Sequence, residues 1–266
     1  MLSVTDAQLN AWIAAFFFPL ARVLGLVATA PVFNNASLTT RVKLVLGLAV
    51  TLAVAPALPP QPPIAPASWA GLAVLLQQGL IGIALGFTMR IVFAGVDLAG
   101  ELIGLQMGLG FAVFYDPQNS GQSPIVAELV GLLALLFYLA ANGPLMMLAL
   151  ITESFTVLPV GTSFFSVAGW ETLLRWAATL FSIGVLLALP VISALLVANI
   201  ALGVLTKVAP TLNLFAVGFP VTLMAGFVLL ALSMPYFAPT LENLFEQGYG
   251  AVSAVMRAAA GKPSGG

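Results

Sequence analysis

Six long apolar runs set the pattern of the chain, at residues 9–32, 44–58, 69–89, 129–151, 173–206 and 212–234. About 20 apolar residues in helical form cross roughly 30 Å of hydrocarbon. All but the second run meet that length; the second is short and closes on Pro59-Pro60. A transmembrane barrel would show short alternating segments instead of such runs. The pattern therefore predicts an all-α, polytopic membrane-type protein with about six hydrophobic helical segments and membrane lipid around it. The first run is interrupted by Pro19 and Arg22, whereas the third and fourth carry no charge. The 34 residues of the fifth run would make about 51 Å of straight helix. With Pro190 near its middle, it reads as one kinked helix or as two pieces meeting there.

The segments between the runs suggest an orientation. Arg41 and Lys43 follow the first run, Arg90 the third and Lys207 the fifth. Cytoplasmic loops carry the excess of Lys and Arg, which predicts six spans with both termini outside. Residues 1–8 hold no Lys or Arg, so the basic start of a cleavable signal peptide is missing and the first run should stay as a span. Residues 59–66 read as a stiff proline-rich linker, 161–171 as a loop and 262–266 as a frayed end. The stretches 90–128, 152–172 and the tail leave no room for a sizeable soluble domain. The chain reads as a single domain, 1–266, with an N-terminal part (1–172), a C-terminal helical hairpin (173–241) and a tail (242–266).

Composition sharpens this picture. Among 266 residues, 61% are hydrophobic, and there are 8 Lys and Arg against 9 Asp and Glu. That is too little charge to cover a water-facing surface, since soluble domains carry roughly 25%. A net charge of −1 gives no reason to expect nucleic acid as a partner. The chain has no cysteine and no histidine. Thiolate chemistry, Ser-His-Asp triads, His-ligated metals and His proton relays are thereby excluded. No Walker or dinucleotide-binding glycine motif occurs. No enzymatic activity, cofactor or metal is expected.

The 25 glycines and 18 prolines often fall inside apolar runs. Broken helices survive at membrane depth only where freed backbone groups face protein or a water-lined cavity. Gly82 and Gly86, and again Gly100, Gly104 and Gly108, recur at every fourth residue. On a helix such a stripe lets another backbone approach closely. Asp97 and Glu101 share one face of the same stretch. With Arg22 they form the candidate buried charges, which should face a partner, a cavity or the interface. A proton-coupled transporter could use those three, but the two halves of the chain show no internal repeat. After the glycines come Gly110, Phe111, Phe114, Tyr115, Asp116 and Pro117. This aromatic limb running into a polar turn could constrict a channel. The last third reads as a hairpin carrying Pro190, Asn199, Gly203, Lys207, Pro210, Asn213, Phe215, Gly218 and Pro220. Pro210 cannot continue the helix before it.

Three stretches together, 104–117, 136–143 and 153–161, resemble the flagellar biosynthetic FliR family. So do the C-terminal Pro190 to Pro220 and the early Arg22, Pro31 and Arg41-Val42-Lys43-Leu44. The likeness covers nearly the whole chain, with departures at Pro144 and Thr211. The resemblance implies a structural subunit of the type III protein export gate at the flagellar basal body, in the bacterial inner membrane. One copy would join several copies of FliP and FliQ in a closed, helical channel, with FlhB and FlhA as further partners and secreted flagellar proteins as cargo. It also implies that the helices sit displaced toward the periplasm, that the loop near 110–121 plugs the channel, and that energy comes from other components. The injectisome counterpart is the alternative within the same family.

Overall fold

The computed structural model describes residues 5–34, 38–59, 62, 64–110, 124–161, 165–209 and 214–261. Among the described residues are seven α-helices and one 3-10 turn, and no strand. The helices are α1 (Asp6–Thr29), α2 (Thr40–Val54), α3 (Trp69–Gln106), α4 (Ile125–Ala140), α5 (Gly143–Val157), α6 (Val167–Val208) and α7 (Leu214–Ala259). Five are long and apolar enough to cross a membrane, or six if α4 and α5 count together as one broken span.

Several boundaries depart from the apolar runs. The third run was expected to give way to a loop at Arg90, but α3 continues through Arg90 to Gln106. Nothing between them breaks a helix, and the buried positions keep the helical spacing through Leu85, Met89, Val92, Val96, Ala99 and Ile103. Arg90 simply points outward. The fourth run breaks at Ala141–Asn142. Asn142 takes a left-handed φ of 56° and its carbonyl accepts from Leu145 and Met146 at 3.0 and 3.1 Å, opening α5 with Pro144 in its first turn. Asparagine tolerates that conformation better than most residues, and proline suits a first turn. The fifth run is one helix of 42 residues with Pro190 inside it. The last run does not stop near Met234. Instead α7 runs 46 residues through Pro220, Pro235 and Pro239, and through most of the stretch read as a tail. The loop expected at 161–171 is shorter, because the Ser166 hydroxyl accepts from the Gly169 amide at 3.3 Å and α6 starts at Val167.

The fold has two compact units: Met1–Ile91 with Asn142–Ala177 and Phe245–Gly266, and Val92–Ala141 with Ala178–Leu244. In the first, α1 and α3 lie backbone to backbone. A methyl group on Gly82 would strike the Arg22 carbonyl, and one on Gly86 would strike the Thr29 hydroxyl and come within 2.8 Å of the Ala30 amide. Thr29 also donates across to the Ile83 carbonyl at 3.2 Å. Ile64 of the proline-rich linker packs against the cluster of Ala14, Phe18 and Val74. The start of α6 is tied to the end of α7 by Ser166, whose hydroxyl donates to the Ala258 carbonyl at 2.7 Å. The Trp176 indole donates to the Thr88 carbonyl of α3 at 2.8 Å.

In the second unit the C-terminal half of α3 is the hub. It meets α4 where Gly100 abuts the Ala127 backbone, and α6 where Gly95 abuts Ile183 and Gly184 abuts Leu98. Phe93 and Tyr138 stack edge to face at 5.3 Å. The three glycines read as one packing stripe differ in their surroundings. At Gly100 a methyl group would overlap the Ala127 Cα, whereas at Gly104 it would meet Val126 at an ordinary 3.6 Å. Gly108 is past the helix. At φ 85° it occupies the left-handed cap position. The Leu109 amide bonds the Gly104 carbonyl at 3.1 Å and the Gly108 amide bonds Leu105 at 3.0 Å, the pattern of a Schellman cap.

One substitution at two positions separates these roles. Gly100→Ala should lower stability by about 1–3 kcal/mol, the usual range for overpacking. Gly104→Ala should be neutral or raise it by up to about 1 kcal/mol through the helix backbone. Thermal unfolding of the detergent-solubilised chain would read both; equal effects would contradict the distinction.

Candidate functional site

Three features could carry function: the outer faces of α6 and α7, the end of α3, and a buried polar joint around Arg22.

The outer faces are apolar and uncovered. Within α6 only 33% of the most apolar stretch is buried by the chain itself, and within α7 only 22%. On α6, Phe181, Leu186, Val197 and Val208 stand out, Val197 at 68% exposure; on α7, Met224 and Leu232 do, Met224 at 69%. The uncharged part of α6, between Arg175 and Lys207, is about 47 Å long at 1.5 Å per residue, against about 30 Å of hydrocarbon. Extended apolar surface of this kind marks an interaction site or a lipid contact. Of the hairpin residues, Pro190, Gly203, Lys207 and Pro220 are exposed, Asn199 is half-buried and Gly218 is buried. A methyl group on Gly203 would meet nothing within 4 Å. Pro210 and Asn213 lie outside the described residues, as does the side chain of Phe215.

The end of α3 is seated on α7. A methyl group on Gly226 would come within 2.7 Å of the Met107 sulfur and Cε. The Thr222 hydroxyl reaches the Met107 carbonyl at 3.4 Å. Gly110 ends the described part of this segment and is half-buried. Phe111, Phe114, Tyr115, Asp116 and Pro117 lie outside the described residues.

The candidate buried charges divide. Arg22 is fully buried. Its Nε donates to the Gln78 carboxamide oxygen at 2.8 Å, its Nη1 to the Ser154 hydroxyl at 2.9 Å and its Nη2 to the Leu158 carbonyl at 2.8 Å. The Phe155 ring lies 4.0 Å from the guanidinium carbon, within cation–π range. Asp97 and Glu101, by contrast, are exposed on this chain, so it is Arg22 alone of the three that the chain itself buries. The reason is their place on α3: its apolar positions turn inward at Val96, Ala99 and Ile103, and the carboxylates fall on the other face. Gly131 of α4 leaves room beside Asp97, since a methyl group there would sit 2.9 Å from its carboxylate oxygen. Gln78, the second of a Gln77-Gln78 pair, and Ser154, at the end of Thr152-Glu153-Ser154, carried no signal that linked them to Arg22, which lies 56 and 132 positions away.

Residues 13–248 match the family described as bacterial export proteins, family 1. The chain is 44% identical to the flagellar biosynthetic protein FliR of Escherichia coli (strain K12) over 247 residues, covering 93% of this chain and 94% of that one. It is likewise 44% identical to the FliR of Pectobacterium carotovorum over 248 residues, with the same two shares. The FliR of Aquifex aeolicus is 29% identical over 225 residues, 85% of this chain and 87% of that protein.

Proposed function

We propose that this chain, which belongs to the bacterial export proteins, family 1, and is a component of flagellar type III protein export, acts there through geometry rather than chemistry. On this reading it is a structural subunit of the export gate. One copy joins several copies of the smaller proteins FliP and FliQ in a closed channel of the inner membrane, and secreted flagellar proteins pass through it. FlhA and FlhB are further neighbours.

The observation that carries the reading is the uncovered apolar length of α6 and α7. Lipid alone covers about 30 Å of it; rows of partner helices would cover the rest. In lipid, helices associate through close packing and polar bonds rather than the hydrophobic effect. On α6 the exposed Gly203, where an added methyl group would meet nothing within 4 Å, and the half-buried Asn199 offer a partner such contacts. An enzyme would need reactive groups gathered in a cleft, whereas the polar side chains that meet around Arg22, Gln78 and Ser154, are buried with it and neutral.

Native mass spectrometry of the chain purified from cells making its small membrane partners should give one large complex with a single copy of this chain. A stable monomer or a symmetric homodimer would contradict the subunit reading. The aromatic segment after α3 is proposed as the seal. Removing residues 110–121 should raise ion conductance through the assembled complex while leaving its yield intact; an assembled variant with unchanged conductance would exclude the seal.

A further inference from the structure

We infer that Arg22 is a positioning residue whose guanidinium fixes where α5 ends against α1 and α3, and so where the chain departs toward α6. The inference is separate from the export reading and rests on the joint itself. Arg22 extends from α1 at the level where Gly82 lets α3 touch the α1 backbone. One face of its fork takes the Gln78 oxygen on α3, through Nε and also through Nη2. The other face takes the Ser154 hydroxyl and the Leu158 carbonyl at the end of α5.

Each acceptor is committed to this arrangement. The Ser154 hydroxyl donates to the Ile151 carbonyl at 2.6 Å, leaving its lone pairs for Arg22. Leu158 has left the helix, at φ −121° and ψ 77°, and Pro159 follows it with no amide to donate. The Leu158 carbonyl is one of the open carbonyls at a helix end, where a cation is favoured. Gln78 turns its oxygen to the guanidinium while its own amide nitrogen, buried, has no partner among the described residues. The carboxamide thus gives up its donor to keep its acceptor on Arg22. Just beyond the joint, Val160 packs with Ile64 on Ala14, Phe18 and Val74.

The acceptors are a carboxamide, a hydroxyl and a main-chain carbonyl, all neutral. A planar fork with several fixed donors can hold two helices to a third at once; a lysine ammonium on a flexible stem cannot hold that geometry. Between helices in lipid the hydrophobic effect contributes little, so such bonds choose the arrangement.

The chain has no cysteine, so introduced pairs report cleanly. Full-length chain carrying Ala14→Cys and Val160→Cys, synthesised in vitro into lipid vesicles, is treated with a short bis-maleimide, and the bridged fraction is measured. A second pair, Leu24→Cys with Gly47→Cys, reports the α1–α2 contact away from the joint. Arg22→Met should cut bridging of the 14/160 pair at least fivefold and leave the 24/47 pair unchanged. Arg22→Lys should fail to restore it. The triple variant R22M/Q78L/S154A, which removes the polar side chains left without a partner, should fail as well. Unchanged 14/160 bridging in R22M would overturn the inference, as would its recovery in the triple variant, which would mean that burial alone holds the joint. Equal loss of both pairs in both variants would also overturn it, because Arg22 would then hold the whole unit rather than one joint. No partner subunit enters the readout, so its failure leaves the export reading standing.

Discussion

In a bilayer, apolar surface is not driven together, because lipid tails solvate a leucine as well as another leucine does. A chain with 61% hydrophobic residues must therefore hold its shape by other means. Two recur here. One is backbone contact at glycines, as at Gly82 against Arg22 and Gly100 against Ala127. The other is a small set of polar bonds between distant helices: Arg22 to Gln78, Ser154 and Leu158, Trp176 to Thr88, and Ser166 to Ala258. Each of these is local, and together they account for how long apolar helices keep definite partners.

The same constraint explains what the chain leaves open. Glycine contacts cluster on α1 and α3, and α3 is 61% buried in its most apolar stretch. Helices α6 and α7 are held along α3 and at the ends, and otherwise present bulky side chains outward. On the proposed reading such faces are the working surface. On that reading, what the chain would contribute is the position of its helices. The absence of histidine and cysteine is in keeping with that role.

Much of this could be read along the chain, and the reasons for the rest are physical. Apolar length marks helices that face lipid or partners, so the runs were visible and the fifth could be seen to be too long for one span. Apolar length does not mark where a helix ends. Arg90 is compatible with a continuing helix, so α3 outlasts its run. Prolines 235 and 239 sit exposed on α7 without ending it. A spacing of four suggested one role for Gly100, Gly104 and Gly108, but the neighbouring backbone gives them three: a tight crossing, a loose one and a cap. The charge of Arg22 inside an apolar run singled it out, whereas Gln78 and Ser154 are ordinary polar residues whose meaning appears only once three helices meet. Asp97 and Glu101 could be placed on one face of α3 from their spacing, but that the chain itself leaves this face uncovered depends on what α3 packs against.

On the proposed reading the outward faces of α6 and α7 are covered by protein in the working assembly. Lipid quenching tests it most directly. A fluorophore at Val197→Cys on α6 and, separately, at Met224→Cys on α7 would be exposed to brominated lipid, first with the chain alone and then with its partner subunits assembled. The account predicts strong quenching at both positions in the isolated chain and its loss at both on assembly. Equal quenching in the two states would mean that lipid, not protein, covers these helices, and would contradict the account.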